Sequence, residues 1–179
     1  MRLFFLLPIV LFSCSGSTED DNSSEVSESD SLSSEIVIDE ERVTAVEFNN
    51  ELTYMQEGML DQVDILFASD SSNVDLNLEN AIFEAQSSLQ KLEVMETFEN
   101  SDEFMNAMKD LFRFYEEELS QNFGNIAIIL KKENLSEVDD NTLEAYDLSF
   151  SQKEAEAFEK VFETQDAFAA ENKIRLTDQ

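Results

Sequence analysis

The sequence predicts an all-α fold, an antiparallel up-down four-helix bundle, from three observations. Apolar residues recur at spacings of three and four along most of residues 39–176, which is the period of an amphipathic helix. The 179 residues include only three Gly and one Pro, too few for a turn-rich β fold. No run shows the period-two alternation of a half-buried strand. Four such helices joined by short loops pack most simply as an up-down bundle.

The composition excludes several classes of function. Acidic residues outnumber basic ones 41 to 11, and a net charge of −30 repels nucleic acid, so we expect no nucleic-acid partner. The chain has no His, which removes the common general base and imidazole ligand. One Cys allows neither a disulfide within the chain nor a Cys-rich zinc site. We therefore predict no cofactor and no enzymatic activity, although an enzyme that uses carboxylates, Tyr or Lys is conceivable.

The first thirteen residues are predicted to be a signal peptide. Met1 and Arg2 provide a short positive segment, and ten residues, apolar except for Pro8, follow from Leu3 to Phe12. A run of this length is too short to cross a bilayer as a helix but suits the apolar part of a secretory leader. We expect the segment to be removed after export.

The leader ends in "LFSC", residues 11–14, which resembles the lipobox of bacterial lipoproteins. In that class the Cys receives a diacylglycerol, the chain is cut before it, and the new amino terminus is acylated. The resemblance implies that Cys14 is the lipidated first residue and that the lipid bilayer, reached through fatty chains such as palmitate, is a partner. Phe12 departs from the usual pattern, where a smaller residue stands. The alternative is an ordinary secretory leader with a chance Cys.

Residues 14–38 are predicted to be a disordered tether, because they are rich in Ser and Asp/Glu and carry no basic residue. Three acids just after Cys14, Glu19, Asp20 and Asp21, resemble the export signal of surface lipoproteins of Bacteroidota. The alternative is that these acids belong to an acidic spacer that carries no export signal. The expected location is the bacterial cell envelope, with a lipid anchor in the outer membrane and surface exposure left open.

Residues 39–176 form the predicted helical domain. The first stripe ends near Ala68 and consists of Ala45, Phe48, Leu52, Met55, Met59, Val63 and Leu66. The second reaches Phe98 and contains Leu78, Ile82, Ala85, Leu89 and Leu92. The third, with Asn100 or Ser101 as cap, contains Phe104, Met108, Leu111, Tyr115 and Leu119. The last begins near Ser136, with Asp139 completing a cap, and contains Tyr146, Phe150, Phe158, Val161, Phe162 and Phe168.

Two segments between and within these helices are less regular. "NIAIILKK", residues 125–132, has the β-branched content of a strand, but no second strand pattern pairs with it, so we interpret it as a short helix or helical continuation. "YDLSF", residues 146–150, is a candidate bend in the last helix.

Polar candidates are few. Asn49 and Gln56 lie seven residues apart beside the first stripe, and Gln165 and Asn172 repeat that spacing on the last helix, which predicts a buried amide network or a small polar pocket. Weak all-oxygen metal candidates are Asp70, Asp75 and Glu79 in one group and Asp139, Asp140 and Glu144 in another. Capping and solvated loop acids explain both groups more simply, so no metal site is predicted.

"AVEFNNELTYMQ" (45–56) and "FETQDAFAAENKIRL" (162–176) are similar to an uncharacterised family of small helical surface lipoproteins of spirochaetes and Bacteroidota. That resemblance implies a bundle and an envelope location, and brings no activity. The expected function is a membrane-anchored lipoprotein whose non-catalytic helical domain binds an envelope protein. The alternative is a binding protein for a small ligand or a cation such as Ca²⁺, in the bundle or its acidic loops.

Overall fold

A computed structural model describes residues 40–176 of the protein, with side chains from residue 44 onward. The predicted signal peptide, Cys14, the predicted tether and the acids Glu19, Asp20 and Asp21 lie outside the described residues. Within that part the chain forms five α-helices and one π-helical turn: α1 (Glu40–Phe67), α2 (Val74–Val94), α3 (Asp102–Glu117), the π-turn (Glu118–Asn122), α4 (Phe123–Leu130) and α5 (Glu137–Glu171). Because α3, the π-turn and α4 follow one another without a loop, they form one continuous helical segment. The bundle therefore has four helical segments, which we call its legs: α1, α2, α3 to α4, and α5.

Neighbouring legs run antiparallel, as contacts between their ends show. The end of α4 meets the start of α2, where Lys131 Nζ lies 2.8 Å from Asp75 Oδ1. Farther along α2, just past its middle, Gln86 Nε2 donates to Glu116 Oε1 of α3 at 2.9 Å. Phe67 at the end of α1 contacts Phe150 in the first half of α5, with ring centroids 5.1 Å apart. The predicted antiparallel four-helix bundle is confirmed.

The core contains most of the predicted stripes. Every predicted stripe residue of α1 is buried, and so is every one of the third leg. On α2 the prediction was partly wrong: Leu78, Ile82 and Leu89 are only half-buried. The fully buried line of α2 consists of Val74, Ala81, Ala85, Ser88 and Leu92, of which all but Leu92 have side chains smaller than leucine. Small side chains are buried here because they let neighbouring helices approach closely. The periodicity of large apolar residues does not show this, since it takes no account of how near the next helix lies.

The last helix is less regular than its predicted stripe. Phe150, Val161 and Phe168 are buried, Tyr146 and Phe158 are half-buried, and Phe162 is exposed with its ring stacked on Phe158. The helix is continuous through 146–150, so that candidate bend is not a break. Its start is capped as predicted: the backbone N–H of Asp139 donates to Ser136 Oγ, and the backbone N–H of Ser136 donates to Asp139 Oδ2.

The connection between α2 and α3 differs from the prediction. α2 ends at Val94 rather than Phe98, and Met95 is extended with ψ 132°. Phe98 then inserts its ring at the end of the core, 6.2 Å from the ring of Phe48 and 5.9 Å from that of Phe168. Packing of this aromatic ring stabilises a loop where the periodicity alone predicted helix.

Ser101 occupies the cap position of α3, but its side chain makes no capping hydrogen bond. The Ser101 Oγ is buried without a hydrogen-bond partner, although the backbone carbonyl of Ser101 accepts from Met105. Asn100 precedes it with φ 60°, a left-handed conformation that Asn tolerates better than most residues. Asn100 therefore makes the turn and Ser101 begins the helix through its backbone.

The segment 125–132 is helical to Leu130, in agreement with our interpretation, and belongs to α4. The π-turn before it was not predicted. The buried residues Leu111, Tyr115, Leu119, Phe123 and Ala127 lie strictly four apart. Since an α-helix has 3.6 residues per turn, each step of four moves about 40° around the axis, and the stripe would drift off the core. One wider turn, with Phe123 N–H bonded to Glu118 O, takes up part of this drift.

Candidate functional site

The predicted amide cluster is reduced to one pair and a hydroxyl. Gln165 Nε2 of α5 donates to Asn49 Oδ1 of α1 at 2.9 Å, and both residues are only 7% exposed. The same nitrogen lies 3.4 Å from Thr53 Oγ1, which in turn donates to the carbonyl of Asn49. Thr53 was missed, although its place one turn after Asn49 on the same edge would have indicated it.

Gln56 and Asn172 do not join this pair. Asn172 Nδ2 donates to the carbonyl of Phe168 in its own helix, and Gln56 is half-buried without contacting Gln165 through a hydrogen bond. They do not meet because α1 and α5 run in opposite directions. Seven residues forward along α1 therefore correspond to seven residues backward along α5. Gln56 therefore lies at the height of Phe158, and Asn172 at the height of residue 42.

The acids of the first metal candidate group are separated by other bonds. Asp70 Oδ1 accepts from the Ser72 hydroxyl at 2.6 Å and from the Ser72 backbone N–H at 2.8 Å, and these hydrogen bonds, the first more than the second, lower the pKa of Asp70. Asp75 is paired with Lys131, and Glu79 is exposed on α2. The Asp70 carboxylate thus stabilises the loop before α2 rather than pointing toward a shared cation.

The second group is likewise engaged in helix capping. Asp139 Oδ1 accepts from Lys132 Nζ at 2.5 Å, and Oδ2 accepts from Ser136. The hydrogen bond from Lys132 is the largest cause, with those from Ser136, of a pKa lowered to about 2. Asp140 and Glu144 are exposed. Across residues 40–176, no group of three or more Asp, Glu, His or Cys side chains is arranged to hold a metal ion.

A carboxylate and a tyrosine meet inside the bundle at a place that the sequence did not indicate. Tyr115 is fully buried on α3, and its hydroxyl donates to Glu154 Oε1 of α5 at 2.8 Å. Burial raises the pKa of Glu154, the hydrogen bond from Tyr115 lowers it in part, and the charge of Asp64 on α1 raises it further. Burial and Glu154 together raise the pKa of Tyr115. A Tyr within an apolar stripe needs a partner for its hydroxyl, which was the available signal.

A second polar pair lies at the π-turn. Glu118 is buried, and its Oε2 accepts from Lys153 Nζ of α5 at 2.9 Å. Nearby on α5, the Tyr146 hydroxyl is buried without a hydrogen-bond partner, and burial followed by the charge of Glu118 raises the pKa of Tyr146. π-turns often occur at functional sites. Here the turn places Glu118 against α5, so the pair links two legs of the bundle.

An open groove runs between α1 and α2 on the outside of the bundle. It is lined by Glu47, Asn50, Glu51, Tyr54, Met55, Glu84 and Lys91. Tyr54 projects into solvent and is 72% exposed, and Phe83, which is adjacent to Glu84 on α2, is 69% exposed. Ile65 on α1 and Leu76 on α2 are exposed as well. We refer to the groove with Ile65, Leu76 and Phe83 as the α1–α2 face.

These sites differ in what they can do chemically. The Asn49–Gln165, Tyr115–Glu154 and Glu118–Lys153 pairs each join two legs through a hydrogen bond, so they contribute to helix packing. The α1–α2 face instead presents aromatic rings and carboxylates to solvent, which is the chemistry of a binding surface.

Comparison with known proteins adds no family to this description: no family model, no curated protein and no solved structure matches the chain. Within residues 40–176, no helix combines the length and the apolar content that crossing a bilayer requires.

Proposed function

We propose that the protein is a bacterial envelope lipoprotein, anchored through acylated Cys14, whose helical bundle is a non-catalytic interaction domain. The observation that carries the proposal is the position of the lone Cys, at the end of an apolar leader and after a small residue in "LFSC". Acyl chains contribute roughly 0.8 kcal/mol per buried CH₂, so two or three of them hold a protein on a bilayer.

The bundle supports the second half of the proposal. Its buried polar groups serve helix packing, while the α1–α2 face exposes Tyr54 and Phe83. Exposed aromatic rings among polar groups are typical of protein-binding surfaces. An envelope protein is therefore the partner that we propose for the domain.

The anchor is tested by replacing Cys14 with Ser in the host and following alkyne-palmitate incorporation, gel mobility and membrane fractionation. We expect the variant to lose the label, keep its leader and run at a larger size. Ser15→Ala is the matched control and should behave as the unaltered protein. A Cys14→Ser protein of normal size that still fractionates with the envelope without label would contradict the lipid anchor.

Surface exposure is tested separately by protease treatment of intact cells. Replacing Glu19, Asp20 and Asp21 with Ala removes the candidate export signal, whereas replacing Glu25, Glu28 and Asp30 removes equal charge further along the tether. If Glu19, Asp20 and Asp21 form an export signal, only the variant that lacks them becomes protected from protease. Equal digestion of both variants would assign Glu19, Asp20 and Asp21 to an acidic spacer.

The alternative function, binding of a small ligand or a cation, is tested by native mass spectrometry of protein from its own host and by calorimetry with Ca²⁺. We expect no stoichiometric adduct, because Asp70, Asp75 and Asp139 are already engaged in hydrogen bonds and ion pairs. A bound species at one equivalent would reverse the order of the two functions.

A further inference from the structure

Positive charge is distributed unevenly over the bundle. No basic residue occurs between Arg42 and Lys91, so the acids of α1 after Arg42 and of most of α2 have no Lys or Arg close in sequence. Five ion pairs occur among the described side chains, and each takes its cation from the part of the chain after residue 110. None of the five involves α1. The five cations therefore neutralise acids on α2, α3, the π-turn and α5, and none of the described acids on α1.

The α1–α2 face combines this uncompensated negative charge with exposed apolar side chains. Glu47 and Glu51 line the groove from α1, and Glu84 lines it from α2. Tyr54 lies one turn after Glu51 and lines the groove with it, whereas Phe83, which precedes Glu84 on α2, is exposed outside the groove lining. Leu76 continues the outward line of Phe83 two turns earlier on α2.

We propose that the α1–α2 face binds a cationic amphipathic helix of a partner protein, an inference that rests on the proposed interaction function and names its partner class. The apolar side of such a helix would contact Tyr54 and Phe83, and its Lys or Arg side chains would pair with Glu47, Glu51 and Glu84. Cations also bind favourably to the faces of exposed aromatic rings.

Charge complementarity decides between the occupants. A second copy of this chain carries −30, and its own segment 15–41 holds acids without a base. Nucleic acid and anionic lipid headgroups are negative too, and at short range all four would be repelled. A positively charged protein segment meets the acids and covers the rings at once. Lys91, the one cation in the groove, opposes such a ligand.

The test measures fluorescence anisotropy of a labelled peptide of Leu and Lys with helical spacing, titrated with the full chain in non-ionic detergent. The reference ligand is a scrambled peptide of the same composition that cannot form an apolar stripe. We expect the amphipathic peptide to bind about tenfold more tightly than the scrambled one, a difference of roughly 1.4 kcal/mol. Equal affinity would overturn the proposal, since charge alone would then explain binding.

Two pairs of variants locate the site while net charge is kept equal. Glu47→Lys with Glu51→Lys changes the face, and Glu156→Lys with Glu159→Lys makes the same change on exposed positions of α5. Likewise, Tyr54→Ser with Phe83→Ser is matched by Val138→Ser with Leu148→Ser, which are also exposed. The face variants should lose about tenfold in affinity and the α5 variants about twofold or less. Lys91→Glu should tighten binding, and circular dichroism checks that every variant is folded.

Equal losses on both faces would overturn the site. A photo-crosslinking residue at position 54 or 148, introduced in the host, separates this failure from failure of the proposed function. A protein adduct from position 54 that contains a Lys-rich or Arg-rich segment supports the inference. An adduct from position 148 alone keeps an interaction function but contradicts this face, and no protein adduct from either position contradicts both.

Discussion

The amide of Gln165 donates to Asn49 across the interface of α1 and α5, inside a core that is otherwise mostly apolar. A buried amide that finds its partner contributes modestly, but one that loses its partner costs more. A sliding of one turn between α1 and α5 would leave both amides unsatisfied. The pair therefore favours a single register of these two helices.

Replacing Gln165 with Leu removes the donor while Asn49 Oδ1 stays buried. We expect the free energy of unfolding to fall by about 1 to 3 kcal/mol, the usual cost of an unsatisfied buried group. Urea denaturation followed by circular dichroism measures it. Gln56→Leu, on a half-buried position outside the pair, is the control and should change stability by about 0.5 kcal/mol or less. Equal effects would show that Asn49 does not depend on Gln165.

Glu154 makes the free energy of unfolding depend on pH. Its pKa is raised in the folded state, mainly by burial and also by Asp64 on α1, against the hydrogen bond from Tyr115 on α3. A raised folded pKa means that the contribution of this group is fully present below the unfolded pKa and is lost as pH rises through the folded pKa. The ionised carboxylate thus reduces stability at neutral pH.

Glu154→Gln keeps an acceptor for the Tyr115 hydroxyl and removes the buried charge. We expect the variant to be more stable than the unaltered protein at pH 7, with the difference shrinking toward zero near pH 4. Thermal unfolding across this pH range measures the difference. Glu156→Gln, at an exposed position on the same helix, is the matched control. A difference that stays constant with pH would contradict the role of burial.

At the scale of elements, the start of α5 depends on a reciprocal cap between Ser136 and Asp139. Ser136→Ala removes the acceptor for the Asp139 N–H, and we expect a loss of about 1 kcal/mol, typical for a cap residue. Ser149→Ala, at an exposed position inside the same helix, is the matched control. Because the pKa of Asp139 is lowered to about 2, the contribution of its carboxylate is present above its unfolded pKa and disappears as pH falls toward 2. An acid titration of both variants measures this.

The π-turn allows a test by deletion. A π-turn holds one residue more than an α-turn, so removing Ser120 should convert it to α-helix while Phe123, Ile126 and Ala127 keep their buried positions. We expect the free energy of unfolding to change by about 1 kcal/mol or less. Removing Ser149, which is exposed inside the regular helix α5, is the contrasting variant: it should rotate the rest of α5 by about 100° and cost about 3 kcal/mol or more. A Ser120 deletion as destabilising as the Ser149 deletion would contradict this role of the π-turn.

At the scale of the whole molecule, the net charge of −30 opposes compaction. Salt shortens the Debye length from about 30 Å at 0.01 M to about 3 Å at 1 M, so repulsion between surface acids fades. Three of the five described ion pairs are exposed on both sides and contribute only about 0 to 1 kcal/mol each, and the acids of the other two, Asp139 and Glu118, are buried and less sensitive to salt. Repulsion should therefore dominate the response to salt.

We expect the Tm of the full chain to rise by several degrees between 0.01 and 0.5 M NaCl, since about 1 kcal/mol shifts Tm by roughly 2 to 8 °C for domains of this size range. Differential scanning fluorimetry at constant pH measures it. A plateau above 0.5 M separates screening from general salting-out. A falling Tm would mean that ion pairs outweigh repulsion.

Much of the fold could be predicted because burial follows the helical period. All seven stripe residues of α1 and all five of the third leg are buried as expected. The prediction was partly wrong on α2, where large apolar residues were expected to be buried and several are only half-buried. It was also wrong at Phe98, whose ring packs on the core from a loop rather than from a helix. The polar site was predictable only in part, because Asn49 and Gln165 are recognisable along the chain while their height on opposite helices is not.

The amino-acid sequence by itself determined the helical class, the acidic surface and the apolar stripes, since composition and period are local properties of the chain. The tertiary structure decided which polar groups meet: Asn49 with Gln165, Tyr115 with Glu154, and Glu118 with Lys153. It also decided that α1 and α2 leave Tyr54 and Phe83 in solvent. The reason is that partners far apart in sequence are chosen by the direction, register and rotation of packed helices, and these depend on the whole core at once.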